Sequence, residues 1–395
     1  MKNKMRIGVD ASCWVNQRGY GRFARCLLLS MIESFPQHEF IFFIDSESAK
    51  DIHFPSAVKV IEAKTKNRAI DSASSESRRS LSDLLAMSLA VHHADLDVLI
   101  FPSIYSYFPV LTSAKVVLGI HDIIAEDYPD LVFPDRKMRF FWDLKSWCAR
   151  KQAHHIFTVS EHARKGILRK FHVKPERVSV VDEAPDTAFR RSPPDSLDAR
   201  TLRKFGIGES DQFFLYVGGI NPHKNLPALV KALAILMRGE DCSVRLVVIG
   251  DIKNDGFSPG LSELKQAIAQ NNLEDQVIFT GFLPDEDTAA FMNSALALVL
   301  PSFAEGFGLP AVEAAACGTA VIATVNSPLP LLLEGGGVFV NPESVDELVS
   351  ALELIYYSPE IRAQMEDIAY SQANRLTWMN SANQLMTTLE RLLKN

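Results

Sequence analysis

Short apolar runs alternate with segments of helical period almost from end to end of the chain. In the first half, Arg6–Ala11, Phe40–Asp45, Val58–Ala63, Val98–Pro102, Val116–Ile120, Ile156–Ser160 and Val178–Val181 read as strands. Helical patterns at Arg22–Ser34, Ser80–His92, Arg136–Ala153 and Glu161–Phe171 lie among them. In the second half the strand candidates are Phe213–Val217, Arg245–Ile249, Val277–Thr280, Ala297–Pro301, Ala320–Ala323 and Gly337–Val340. Helical patterns at Leu226–Met237, Leu261–Gln270, Asp285–Asn293 and Val345–Tyr356 separate these. Such alternation predicts an α/β fold with parallel sheets covered by helices on both faces. Arg190–Ala199, RRSPPDSLDA, is rich in proline, serine and charge and has no period, so it is the expected boundary. Two doubly wound, Rossmann-like domains follow, residues 1–190 and 200–377. The last helical segment, 378–395, comes after the second sheet is complete and is free to pack back on the first domain. Sheets of this kind bind ligands beyond the carboxyl ends of their strands, and two of them would face a central cleft.

Composition narrows the field. A chain of 395 residues is long for one core, and 47% hydrophobic with 23% charged residues is ordinary for a globular protein. The formal net charge of −7 argues against a nucleic-acid partner. Cys13, Cys26, Cys148, Cys242 and Cys317 are dispersed without a CxxC pair, as expected for reduced thiols in a cytoplasmic setting. The first residues lack the apolar core of a signal peptide, and no run reaches the roughly 18 apolar residues of a membrane span. The expectation is a soluble protein, at most peripheral on the inner membrane surface.

The chemistry concentrates in residues 303–324, FAEGFGLPAVEAAACGTAVIAT, where seven residues separate Glu305 from Glu313. Glu305 falls in a loop broken by Gly306 and Gly308. Pro310 then suits the first turn of a helix, where its missing N–H costs nothing. Glu313 lies about one turn inside that helix. The free amides at the helix start form an anion site, and an acid on either side suits a ligand with hydroxyls and a phosphate, such as a sugar nucleotide. The plainer alternative is a solvated loop glutamate and a second one on an exposed helix face. Against it stand the alternating glycines and the small residues Ala311, Ala314, Ala315 and Ala316, which permit close approach.

Three other loops sit at strand ends. In WVNQRGYGRFAR, residues 14–25, Gly19 and Gly21 precede a helix and either approach a ligand or merely soften a turn. In GIHDII, residues 119–124, His121 ends a central strand and points into the cleft, or is a structural hydrogen-bonding group. In YVGGINPHKNL, residues 216–226, Lys224 stands at a helix start, where the dipole opposes it unless an anion lies between.

These blocks, RIGVDAS with RGYGRFAR, GIHD, TVSEHAR at 158–164, GGINPHKN and FAEGFGLPAVEAAACG, together resemble the retaining glycosyltransferases of family 4, which have the GT-B fold. The resemblance covers most of the chain, and the carboxylate block is its most specific part. It implies that Glu305 contacts the donor sugar, with Gly306, Phe307, Gly308 and Leu309 beside it. Glu313 would bind the ribose hydroxyls, Lys224 the diphosphate with Gly219 adjacent, and His121 the sugar near the reacting carbon. Gly19, Tyr20, Gly21 and Arg22 would flank the diphosphate or the acceptor. His121, Lys224 and Glu305 are the expected catalytic residues. The implied reaction moves a hexose, mannose by the likeness of the HKN loop, from a nucleoside-diphosphate sugar to a hydroxyl of a glycan or lipid-linked acceptor. The nucleotide sugar is a co-substrate, and no cofactor or metal is expected. A sugar-nucleotide epimerase and a non-catalytic sugar-nucleotide-binding subunit are the other readings.

Two departures stand out. Gly219 occupies a position where the family often has arginine, and the hinge reads Asp182-Glu183-Ala184-Pro185 instead of the more usual Asn-Gly. Asp285-Glu286-Asp287 and Asp95-Leu96-Asp97 look like metal-binding pairs, but read better as a helix start and a strand entry. Residues 136–177 hold twelve Lys/Arg against three Asp/Glu, with Phe140, Phe141, Trp142 and Trp147 interleaved. The favoured reading packs these aromatics on the sheet. The other is a peripheral contact with anionic lipid or a lipid-linked acceptor.

Overall fold

The computed structural model describes residues 4–16, 19–66, 80–193, 198–239, 242–251 and 259–394. The chain divides into two units, Met1–Glu183 with Trp378–Asn395, and Ala184–Thr377. The division falls at Glu183–Ala184, ahead of the 190–199 segment expected to be the linker. Where that segment is described it belongs to the second unit: Ser192 N–H donates to Asn293 Oδ1 at 2.7 Å, and Arg191 pairs with Asp367 at 2.7 Å. Residues 194–197 of the expected linker lie outside the described residues.

The first unit is built on seven strands: β1 (Arg6–Asp10), β2 (Glu39–Asp45), β3 (Val58–Ala63), β4 (Val98–Phe101), β5 (Lys115–Gly119), β6 (His155–Thr158) and β7 (Val178–Val180). They run in the order β3-β2-β1-β4-β5-β6-β7, with every pair parallel. Phe40 to Ile44 in β2 are all buried, as an apolar run must be when helices cover both faces of its sheet. Burying each such side chain contributes about 1.5–3 kcal/mol. The helix Trp378–Lys394 belongs to this unit. It packs on the helix Gly19–Ser34, and Gln384 holds the end of β7 by accepting from Asp182 N–H and donating to Asp182 Oδ2.

The second unit has six strands: β8 (Phe213–Val217), β9 (Arg245–Ile249), β10 (Val277–Gly281), β11 (Ala297–Leu300), β12 (Ala320–Thr324) and β13 (Gly337–Val340). Their order is β10-β9-β8-β11-β12-β13, again all parallel. Strand order reverses direction between β1 and β4 in the first sheet and between β8 and β11 in the second. Beyond the carboxyl ends at such a reversal, the diverging crossover loops leave a crevice.

The glycine loop after β1 differs from expectation. Gly19 and Gly21 lie within the first turn of the helix Gly19–Ser34, not ahead of it. A Cβ on Gly21 would sit 1.9 Å from the carbonyl oxygen of Asn16, so this glycine lets the helix start press against the preceding backbone. The helix Pro359–Ala373 was not anticipated. Only Ala369 and Ala373 are buried on it, and it packs on the helix Leu309–Ala316, so it has no broad apolar stripe for sequence periodicity to show.

Candidate functional site

In the second unit the loops leaving β8 and β11 meet at the switch point. After β8 the chain passes Gly218 and Gly219, makes a short turn at Pro222–Lys224, and enters the helix Leu226–Leu236. Asn225 takes the left-handed conformation, with φ of 56°, and its Nδ2 donates to Pro301 O and Pro342 O, fastening three strand ends together. After β11, Phe303 N–H donates to His223 O at 2.9 Å and Glu305 N–H to Asn326 O at 3.1 Å. The backbone thus holds the two loops in register.

That register brings Lys224 and Glu305 together. Lys224 Nζ donates to Glu305 Oε1 at 2.7 Å, and Ser302 Oγ donates to the same oxygen at 2.6 Å. Burial pushes the Glu305 carboxyl up, but the Lys224 ammonium and the two hydrogen bonds outweigh it and hold the group below the usual carboxylate range. His223 is lowered to about 4, first by burial and then by the Lys224 charge, so its ring is neutral at pH 7. The anion that a lysine at a helix start requires is, within the protein, Glu305 itself. Sequence reasoning missed Ser302, whose only signal was its position next to the Glu305 motif, whereas His223 was expected only as an aid to Lys224 at the diphosphate.

The helix Leu309–Ala316 begins at Gly308, whose φ of 90° is open to glycine but strained for other residues. Gly308 offers no side-chain cap and Pro310 has no N–H, so the first-turn amide of Leu309 has no acceptor within the helix. Gly306, Phe307, Gly308 and Leu309 are all buried. Glu313 is buried too, at 1% exposure, which overturns the reading of a solvated residue on an outer helix face. Gly219 has an ordinary backbone conformation and its carbonyl accepts from Tyr216 Oη at 2.7 Å. A side chain there is not forbidden by conformation; the chain simply lacks the charge.

In the first unit His121 follows β5. Its Nε2 lies 2.9 Å from Pro102 O, its Nδ1 is 4.0 Å from Glu183 Oε1, and its ring meets Phe23 edge-on. Burial lowers its pKa to about 4 against the Pro102 hydrogen bond, so the ring is neutral and the carbonyl places the proton on Nε2. Tyr20 stacks on Tyr105 and is hydrogen-bonded to Asn16. Arg22, on the same first turn, is half-buried. Tyr105 and His121 line a small hollow with Ile104, Ile120, Asp122, Glu126 and Trp142. Burial raises Glu126 to about 7 despite the hydrogen bond from Trp142 Nε1. Neither Glu126 nor Glu183 was singled out from sequence for its chemistry.

The acidic pairs have structural partners. Asp97 accepts from Arg6 N–H, Asp95 pairs with the Arg6 guanidinium, and Asp285, Glu286 and Asp287 open the helix Asp285–Ser294. In the basic segment only Trp142 turns inward. Phe140, Phe141 and Trp147 are exposed, so the expectation that these aromatics pack on the sheet fails for three of the four. Among the described residues no helix is long and apolar enough to cross a membrane.

Residues 40–189 match the family described as Glycosyltransferase Family 4, and residues 199–372 the family described as Glycosyl transferases group 1. The serotype-specific mannosyltransferase WbdA of Escherichia coli is 26% identical over 282 residues, 71% of this chain and 34% of that protein. The matched stretch therefore spans about a third of that relative. Among solved structures, sucrose-phosphate synthase from Thermosynechococcus elongatus superposes with a TM-score of 0.77 at 18% identity, covering 99% of each chain. The Anabaena HepE protein in complex with UDP and glucose gives 0.72 at 18% identity, covering 98% of this chain and 100% of its own. These likenesses establish the fold as GT-B.

Proposed function

The chain belongs to glycosyltransferase family 4, and on that premise we propose that it moves a hexose from a nucleoside-diphosphate sugar to a hydroxyl of a glycan or lipid-linked glycan, retaining anomeric configuration. Mannose is the proposed sugar, supported by the likeness to WbdA. The observation that carries the reading is the part-buried Lys224–Glu305 pair at the β8/β11 switch point, beside the start of the helix Leu309–Ala316, which has no side-chain cap.

In the proposed mechanism Glu305 receives a hydroxyl of the donor sugar and Glu313 the ribose hydroxyls. Lys224 turns from Glu305 toward the diphosphate, and the amides around Gly308 and Leu309 assist. The bond between the anomeric carbon and the phosphate oxygen breaks, and its electron pair leaves with the nucleoside diphosphate. The acceptor oxygen bonds that carbon from the same face, and its proton passes to the departing phosphate oxygen. Lysine and oriented amides stabilise charge that develops as the bond breaks, which is where electrostatic catalysis acts. They supply what the leaving group needs, so no metal is assigned. In the first unit, taken by itself, the neutral ring of His121, held by Pro102 O, is the proposed partner of a sugar hydroxyl. The first-turn amides of Gly19, Tyr20 and Gly21, with Arg22, are the proposed partners of a phosphate or an acceptor hydroxyl.

The test is incubation with a panel of sugar nucleotides and glycan acceptors, with products followed by mass and by proton NMR of the new anomeric centre. An α-linked product from an α-linked donor is expected. A β-linked product contradicts retention, and an isomerised nucleotide sugar formed without acceptor contradicts transfer.

A further inference from the structure

The helix Arg136–Gln152 carries apolar residues on the side turned away from its core. Phe140, Leu144 and Trp147 fall at i, i+4 and i+7, one stripe of a helix, with Phe140 63% and Trp147 53% exposed. Phe141 is exposed beside them, its ring 5.8 Å from that of Phe140. The opposite side is already satisfied: Ser146 and Ala149 are buried, and Trp142 bonds Glu126. The helix Leu81–His92 repeats the pattern, with Leu81 79% exposed and Leu85 and Leu89 exposed below it, while Met87 and Val91 fill the core.

One segment joins the two stripes. Pro109 O accepts from Ser88 and Leu111 O lies 2.8 Å from His92 Nδ1, both on the helix Leu81–His92. On the other side Gln152 Oε1 accepts from Val110 N–H and Tyr107 Oη. Leu111, 76% exposed, sits between the helices, so all these residues share one face of the unit. Exposed apolar side chains gathered on one side of a unit in this number are more than the scattered single ones an ordinary surface carries.

Charge identifies the occupant. The helix Arg136–Gln152 has six Lys/Arg and one acid, Asp143, in a chain of net charge −7. Arg136, Lys137, Arg139 and Lys151 are exposed around the stripe, and their aliphatic stems can lie along an interface with the charged heads among phosphates. A second copy meeting the same face two-fold would set both basic helices against each other. We propose that this face docks on an anionic lipid bilayer, aromatics entering the headgroup boundary and basic residues bound to lipid phosphates. The inference rests on the proposed transferase reading and deepens it by bringing the protein to the membrane that would hold a lipid-linked acceptor, but the docking is tested without reference to transfer.

The full chain is sedimented with vesicles of phosphatidylglycerol and phosphatidylcholine, and with vesicles of phosphatidylcholine alone. Binding to the anionic vesicles only, weakened by salt, is expected, with Trp147 emission quenched by brominated acyl chains and that quenching lost in Trp147→Phe. The triple variant Phe140→Ser, Leu144→Ser, Trp147→Ser and the pair Lys137→Gln, Lys151→Gln should each bind at least about tenfold more weakly. Both should keep the wild-type melting temperature and any donor affinity found by calorimetry. No binding to anionic vesicles, equal binding to neutral ones, or undiminished binding by the triple variant overturns the proposal. So does a concentration-dependent dimer that the triple variant abolishes, since the face would then belong to a second copy. Vesicle binding by protein that binds no donor upholds the docking and counts against the transferase reading alone.

Discussion

Lys224 and Glu305 show how one contact serves both stability and the proposed chemistry. Each is largely removed from water, so losing one partner leaves a buried charge uncompensated. Lys224→Met should destabilise the protein by about 3 kcal/mol in denaturant unfolding, and adding Glu305→Gln should recover most of that loss. A single variant as stable as the wild type would mean the pair is not buried as described. The histidines give a pH signature. His121, His155 and His223 each have a folded pKa lowered to about 4, chiefly by burial, against an ordinary 6.5. Between those values the unfolded chain binds more protons, so stability falls as pH drops from 6.5 toward 4. Glu126, raised to about 7, works the other way, as one group against three. Urea midpoints should therefore decrease from pH 7 to pH 4.5, and a rising profile would contradict the burial of these rings. Glu305 and Lys224 could be picked out from sequence because glycines, proline and charge mark their loops. Ser302 could not, because a serine beside a motif looks the same whether or not it bonds to it.

The elements follow from hydrophobic period wherever a face is broad and apolar. All thirteen strands among the described residues lie on predicted runs. The short helices Ile124–Asp127, Pro129–Val132, Asp198–Arg203 and Leu329–Leu332 and the longer Pro359–Ala373 were not expected, being too short or too narrowly apolar to show a period. Gly19 and Gly21 look alike in sequence but are not equivalent in space. A Cβ on Gly19 meets nothing within 4 Å, whereas one on Gly21 strikes the Asn16 carbonyl. Gly19→Ala should leave the melting temperature nearly unchanged, and Gly21→Ala should cost about 1–3 kcal/mol by overpacking. Equal effects would show that the helix start is not pressed on the preceding loop. The basic helix Arg136–Gln152 was misjudged for a related reason: its period is helical on both sides, and sequence alone does not say which side meets the sheet.

At the scale of the molecule, strand–helix alternation made the two parallel sheets legible, and strand order places the β8 and β11 loops at the switch point of the second. The division at Glu183–Ala184 was hidden because the segment after it is charged and proline-rich yet is bonded into the second unit. Fold alone leaves substrate open, since one architecture hosts many activities. A donor present at 100 times its Kd should stabilise the protein by about 2.7 kcal/mol, read as a raised melting temperature. The most direct test of the account is the donor Kd, measured by calorimetry for the wild type and for the Lys224→Met, Glu305→Gln double variant. At least about tenfold weaker binding by the folded double variant is predicted, because charged hydrogen bonds to diphosphate and sugar would be lost. Equal affinity in the two proteins would contradict the assignment of this pair to the donor.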